Sequence, residues 1–529
     1  MLDKIYLKNY KNFPDETIEF NNKRNIFIGE NGVGKSSLIE AISLVLSGSY
    51  SKIEKKGIES LFNVCAISNF MNGDRCLNNL PELIIELYFN SYTKQFNNGY
   101  ELDGRVNSAK SDNIGLQLKI SPDLERYGDE INVSLNHERS SSFPFDYYKV
   151  EFYTFANKAY SSFNRVQQFK HTLIDTTSIY RISTIKNYIS QVFKNQAKDE
   201  TKNISHAYRK LTKQFSEELY EKYNLSTNSD GYKLKVKSVS EKNFDNVLTL
   251  HKNNIELESF GLGERVILSV SSLLEAAVED ILIILIEEPE NHLSYLNTQK
   301  LIDMIEQQSG SKQTFITTHD NMIASRLNLQ NLILISRLGK HTTLSQLSKE
   351  TAEFFIKRPN NNILNFILAK KAILVEGDAE YILMEKFYEN IRDKLPHQDN
   401  ITIIACGGKT FKRYLEVAKM LNNKVAVITD NDKDYNNNIM ETYKDYTSEN
   451  IQVFSDNSSD NYTFEVCLYN CNQKFYDDYF ATNKMKNGTL PFLLNNKTEA
   501  AFRVASNYPT QFKIPLYIQE AIDWLNRKK

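Results

Sequence analysis

The chain reads as an α/β protein built in two successive parts, and three observations carry that expectation. Short apolar runs without polar alternation recur at Asn25-Ile26-Phe27-Ile28, Ile281-Leu282-Ile283-Ile284-Leu285-Ile286, Ile373-Leu374-Val375 and Val425-Ala426-Val427-Ile428, the pattern of strands buried on both faces of a parallel sheet. Each run gives way within two residues to glycine or an acid, and the carboxyl ends of parallel strands are where open α/β sheets handle ligands. Between the runs, apolar residues recur at three- and four-residue spacing, as they do in crossover helices.

Length and composition bound the rest. A chain of 529 residues is long enough for about two to four domains. With 41% hydrophobic and 25% charged residues it has the balance of a soluble globular protein, and only 10 Pro and 19 Gly leave little room for disordered linkers. A net charge of −2 excludes a global basic field, so any nucleic-acid surface has to be local. The five cysteines form no C-x-x-C pair, which favours reduced thiols over a structural zinc site. No apolar run approaches about 18 residues and the N-terminus has no signal pattern, so the expected location is cytoplasmic, with no membrane partner.

Taken in order, Lys4 to Phe13 alternates like a half-buried strand and Thr17-Ile18-Glu19-Phe20 is its hairpin partner. Gly29-Glu30-Asn31-Gly32-Val33-Gly34-Lys35-Ser36 then fits the phosphate-loop pattern G-x-x-x-x-G-K-[ST], set between the strand at 25–28 and the helical run 37–46. Glycines let successive backbone N–H groups turn around phosphate oxygens, Lys35 reaches the β and γ phosphates, and Ser36 can ligate Mg²⁺. Asn31, Gly32, Gly34, Lys35, Ser36 and Ser37 are therefore the expected ATP contacts. Glu82–Phe89 and Gly115–Ile120 read as further strands.

From Asn157 the composition shifts to Lys, Gln, Glu and Tyr, with no glycine or proline up to Tyr223. This predicts a helical insertion over 157–235, either a dimer contact or a lid on its own core. Flanking it, 1–156 and 236–366 form the two parts of one nucleotide-binding domain. In the second part Ser259, Gly261 and Gly263 open a helical run from Val266 to Val278, a second anion-binding helix start. The apolar strand at 281–286 ends in Glu287 and Glu288. Their position assigns Glu287 to Mg²⁺ and Glu288 to activation of the attacking water. A further strand, Gln313 to Thr318, ends at His319, placed to contact the γ phosphate.

The phosphate loop, the 259–263 loop, the acid-tipped strand and His319 together resemble the ABC and SMC type of ATPase head. In that superfamily ATP is sandwiched between two heads, so the resemblance implies a homodimer or higher oligomer. Glu287 departs from the usual Asp by one methylene, and no glutamine loop can be placed.

Residues 367–529 start a second α/β pattern. Strand 371–375 leads to Glu376, Gly377 and a helix bearing Glu380; strand 401–405 leads to Gly407-Gly408-Lys409; strand 425–428 ends in Asp430-Asn431-Asp432; Glu465 follows Asn461-Tyr462-Thr463-Phe464. Clustered carboxylates repel unless a cation sits among them, and a pair of Mg²⁺ ions can activate water and stabilise a leaving oxygen in phosphodiester hydrolysis. Lys409, Lys412 and Arg413 are candidates for DNA phosphates, each with the alternative of a solvated helix face.

This half resembles the Toprim domain, and a Toprim domain behind an ABC-like head resembles the OLD (overcoming lysogenization defect) family of ATP-dependent nucleases. The resemblance implies that Glu376, Glu380, Asp430, Asp432 and Glu465 bind metal (Mg²⁺, with Mn²⁺ or Ca²⁺ as alternatives) and that Lys497 supplies a basic group at the reaction. It further implies a DNA endonuclease or nickase regulated by the ATPase head. Members of the family act in antiphage defence beside a helicase, or beside a reverse transcriptase with its small DNA. Two other functions stay open: a DNA repair or chromosome-maintenance ATPase without nuclease activity, and a topoisomerase-like enzyme.

Overall fold

A computed structural model describes residues 1–91, 93, 99–136, 142–164, 170–175, 189, 193, 200–223, 247–276, 281–291, 293–308, 312–358, 362–480, 488–509 and 511–527. The chain divides into two compact units. The first comprises Met1–Phe27, Val33–Thr318 and Arg337–Lys340, and the second Ile28–Gly32, His319–Ser336 and His341–Lys529.

The first unit is organised by two sheets with one helix against both. The expected hairpin is present as Leu2–Tyr10 and Phe13–Glu19, paired antiparallel. Leu83–Phe89, Asn113–Pro122 and Tyr148–Thr154 extend that sheet. Along its first strand Leu2, Ile5, Leu7 and Tyr10 are buried, close to the period-two alternation of a sheet with one covered face. Four strands of the second sheet run parallel. Lys170–Asp175 pairs with Ile281–Glu287, which pairs with Gln313–Thr317, which pairs with Arg24–Ile28. Helix Lys35–Ser47 packs on strands of both sheets. Leu38, Ile39, Ala41, Ile42, Leu44, Val45 and Leu46 are all buried, which accounts for a helix apolar on more than one face.

The 157–235 insertion departs from the expected all-helical pattern. Lys170–Asp175 is a strand of the parallel sheet, where Thr172 and Ile174 supply β-branched residues within a polar-looking stretch. Helix Thr201–Tyr223 is helical as expected, and the remainder of the insertion lies largely outside the described residues. The helix after Ser259 begins at Leu262, four residues before the expected Val266, and is described to Ala276.

In the second unit a four-stranded parallel sheet runs in the order Ile401–Ala405, Lys371–Val375, Lys424–Ile428, Ile451–Phe454. Ile373, Val375, Ala426 and Ile428 face a core shared with helices Asp378–Arg392, Lys497–Ser506 and Leu516–Asn526. Ala372, Leu374, Val425 and Val427 point the other way and are equally buried. Both faces are covered, the condition under which parallel strands read as unbroken apolar runs. The strand Ile451–Phe454 and the C-terminal helices were not among the sequence expectations.

Candidate metal and nucleotide sites

Backbone geometry at the phosphate loop explains its glycines. Gly34 caps helix Lys35–Ser47 at φ 116°, a conformation L side chains rarely adopt. A Cβ there would stand 2.9 Å from the Phe13 ring. Gly32 has φ 78° and open space where a Cβ would be. Lys35 is buried; burial lowers its pKa, opposed by the charges of Glu288 and Glu290. Ser36 is exposed at the helix start and the Ser37 carbonyl accepts from the Tyr10 hydroxyl at 3.1 Å.

Glu287 closes the strand Ile281–Glu287, beside Thr317 in register. Glu288 follows at φ 43°, strained for a non-glycine residue. Its N–H donates to the Thr317 carbonyl and Thr317 Oγ1, both at 3.1 Å, and its Oε2 accepts from Asn291 at 3.0 Å. The strain and the fixed carboxylate set Glu288 apart from an ordinary turn acid. Glu290, which accepts from the Thr318 hydroxyl at 2.9 Å, is a further acid in the field of Lys35 that the sequence reading left out. Ser259 and Gly261 precede helix Leu262–Ala276 and Gly263 lies in its first turn, where Arg265 Nε binds the Phe260 carbonyl at 3.1 Å. His319 is exposed between strand Gln313–Thr317 and helix Asn321–Arg326.

In the second unit, four of the five expected acids act on one another. Glu376 directly follows the strand Lys371–Val375. Glu380, one turn into helix Asp378–Arg392, is 8% exposed and its Oε2 accepts the Gly377 N–H at 3.2 Å, closing the helix start. Burial and repulsion by Glu465 and Glu376 raise its pKa, against the opposing effects of a backbone hydrogen bond and Lys497. Asp430 Oδ1 accepts the Phe464 N–H at 2.8 Å. Burial, then the charges of Glu380, Glu376 and Glu465, push the Asp430 pKa up to about 7. Glu465, 6% exposed, lies in the first turn of helix Phe464–Cys471, and Lys497 Nζ meets its Oε2 at 2.9 Å. Burial lowers the Lys497 pKa, but Glu465, Asp430 and Glu380 outweigh it and the net shift is upward.

Asp432 behaves differently. It is exposed, has φ 45°, and forms an ion pair with Lys409. Among the described residues no three His, Cys, Asp or Glu side chains already stand in a metal-holding geometry. The donor set nevertheless suits a hard divalent cation. Glu376 Oε2 and Glu465 Oε1 are buried oxygens that accept no hydrogen bond, and the raised Asp430 pKa marks a site with surplus negative charge.

Asn431, between the two aspartates, escaped the sequence reading. It is 1% exposed, and its amide donates to the carbonyls of Asp456, Ser458 and Asn461 at 2.7, 2.8 and 3.3 Å. With the Asp432 N–H bonded to the Tyr462 carbonyl at 3.2 Å, it ties the Asp430 loop to the segment that leads into Glu465. The D-N-D spelling hints at a turn but not at a buried amide.

These features define a class: a phosphate-loop ATPase unit in one chain with a parallel α/β unit whose strand ends collect acids. The model of the AAA ATPase domain matches residues 1–324, and that of the overcoming lysogenization defect protein-like TOPRIM domain matches 367–432. The first of these spans more than half of the chain, so the chain belongs to the AAA ATPase domain family, and an OLD-like TOPRIM domain match follows it. It is 25% identical over 454 residues to Endonuclease GajA of Bacillus cereus (strain VD045), covering 81% of this chain and 74% of that one. It is also 25% identical over 346 residues to an ATP/GTP phosphatase of Helicobacter pylori, covering 60% of this chain and 85% of the relative. A solved SMC head domain with an extended coiled coil, bound to the C-terminal domain of ScpA derived from Pyrococcus furiosus, aligns at TM-score 0.37 and 16% identity. That alignment covers 67% of this chain and 99% of the other. No helix among the described residues is long and apolar enough to cross a membrane.

Proposed function

We propose that this protein is an ATP-binding, divalent-metal-dependent DNA endonuclease or nickase whose ATPase unit regulates a Toprim nuclease site. The observation that carries the reading is Asp430, a strand-end carboxylate pushed up to about 7 by burial and by Glu380, Glu376 and Glu465 around it. Such a group of acids needs a cation to be fully ionised near neutral pH. Glu376, Glu380, Asp430, Asp432 and Glu465 are the residues proposed to hold it, Mg²⁺ or Mn²⁺ supplying Lewis-acid stabilisation and an activated water when bound. Lys497, held at 2.9 Å from Glu465, carries a positive charge toward the phosphodiester and offsets charge developing on it. The Phe464 N–H fixes the direction of Asp430, and Asn431 fixes its loop. The name of the relative, Endonuclease GajA, supports the same activity.

For ATP, Asn31, Gly32, Gly34, Lys35, Ser36 and Ser37 are the proposed contacts, completed by Ser259, Gly261, Gly263 and His319. Glu287 is proposed at the metal and Glu288 at the attacking water. Self-association is proposed, supported by Leu211 and Phe215, exposed one turn apart on helix Thr201–Tyr223. A place in prokaryotic antiphage defence, beside a helicase or a reverse transcriptase with its small DNA, completes the proposal.

Plasmid cleavage by the purified full-length chain is the test, run across Mg²⁺, Mn²⁺ and Ca²⁺ with and without ATP. Metal-dependent nicking or linearisation that Asp430→Ala abolishes is expected. Undiminished cutting by that variant would refute the site. ATP hydrolysis without cleavage under every metal would favour the repair-ATPase reading, and a trapped covalent protein–DNA adduct the topoisomerase reading.

A further inference from the structure

Asp432 is separated from the other acids by its partner rather than by its place in the sequence. The charges that raise Asp430 come from Glu380, Glu376 and Glu465, whereas Asp432 is ion-paired with Lys409. Both members of that pair are half-exposed, at 45% and 41%. Exposed pairs of this kind are held weakly and exchange readily with ions from solution.

The backbones on both sides are held by hydrogen bonds, and the two side chains are half-exposed. On the acid side, Asn431 anchors the loop to three carbonyls and the Asp432 N–H is bonded to Tyr462. On the lysine side, Gly407 and Gly408 turn at φ 63° and 101°. Arg358 Nη1 donates to the Cys406 carbonyl at 2.6 Å, Nη2 to the Gly407 carbonyl at 3.5 Å, and the Gly408 N–H bonds the Glu376 carbonyl at 2.8 Å. Lys409 therefore projects a half-exposed cation from a turn hydrogen-bonded to the Glu376 carbonyl. Neighbouring cations also have partners on the protein: Arg413 donates to Thr351 Oγ1 at 3.0 Å, Lys412 lies 6.0 Å from the Tyr446 ring centre, and Lys433 lies 4.6 Å from the Tyr462 ring centre.

We propose that Lys409 is an exchangeable counter-ion that couples nucleic-acid binding to metal binding. In the free protein it neutralises Asp432. A phosphate of bound DNA then draws Lys409 away, and Asp432 becomes available to a divalent cation beside Asp430. Coupling of this kind is reciprocal, so DNA tightens metal binding and metal tightens DNA binding. The inference rests on the metal-dependent nuclease reading above.

The experiment is Mn²⁺ binding by titration calorimetry on full-length, nucleotide-free protein, with and without a saturating short DNA duplex. In the wild type, DNA should tighten Mn²⁺ binding. Lys409→Met should bind Mn²⁺ about two- to five-fold more tightly without DNA, the range set by a half-exposed ion pair, and should gain nothing further from DNA. Lys409→Arg should keep the coupling, and a melting temperature of Lys409→Met equal to wild type shows that the variant is folded. Unchanged Mn²⁺ affinity in folded Lys409→Met, or equal DNA-induced tightening in both proteins, overturns the proposal. Wild-type Mn²⁺ binding that Asp430→Asn leaves unaltered would instead overturn the metal reading of the acidic site, and this inference with it.

Discussion

Lys424 offers a quantitative test of how the second unit holds its site together. It begins the strand Lys424–Ile428 that delivers Asp430, and its Nζ reaches the end of the last helix, Leu516–Asn526. There it donates to the carbonyls of Trp524, Leu525 and Arg527 at 2.7, 3.2 and 3.2 Å. It also lies 4.9 Å from the Trp524 ring centre. Terminal helix carbonyls have no partner within the helix, and a cation there also meets the negative end of the helix dipole. Replacing Lys424 by Met keeps most of the apolar stem and removes only the charge and the donors. A hydrogen bond from a charged group contributes about 1.5–3 kcal/mol and the ring contact about 0.5–1 kcal/mol. Because the group is only partly buried, about 2 kcal/mol in total is expected. For a unit of this size that lowers the melting temperature by about 4–8 °C. Calorimetric melting of Lys424→Met beside Lys424→Arg is the assay. A Lys424→Met melt within about 1 °C of wild type would refute the reasoning.

Three further outcomes follow from the same geometry. Asn431→Asp turns an amide donor shared by three carbonyls into a buried carboxylate facing them; it should cost about 3 kcal/mol or more in denaturant unfolding and remove metal-dependent cleavage. Glu416 is pushed up by burial but pulled lower overall by hydrogen bonds from Thr351 and Ser348 and by Arg413. A depressed carboxylate stabilises above its unfolded pKa, and that contribution fades as pH falls through the folded value. Glu416→Ala should therefore melt below wild type at pH 7, with the gap closing under about pH 4. Lys35→Ala should abolish ATP hydrolysis in a phosphate-release assay and leave the Asp430-dependent Mn²⁺ binding intact. Loss of that binding would refute two independent sites.

Where an element is defined by its own residues, it could be read before any coordinates. The run 281–286 is strand because six consecutive apolar residues need two covered faces, and the loop 29–36 is what it is because only glycine tolerates the backbone at Gly34. The acids Glu376, Asp430 and Glu465 were legible because each follows an apolar run or opens a helix. Strand Lys170–Asp175 was not, because its partners are more than a hundred residues away and its composition matches that of the whole 157–223 stretch, whose spacing predicts helix. Helix Leu262–Ala276 was placed late because two glycines look like loop when the neighbours that fix them are unknown.

The sequence by itself determined the order of elements, the phosphate loop and the inventory of acids, since local propensity and periodicity depend on neighbours within a few residues. The tertiary structure decided which acids share one field. Glu376, Glu380, Asp430 and Glu465 come from segments as much as 89 residues apart, yet burial brings their charges close enough to move Asp430 to about 7. It also decided that Asp432 answers to Lys409 and that Asn431 is a buried tie. Charge interaction falls with distance in space and strengthens with exclusion of water, and neither quantity is written along a chain.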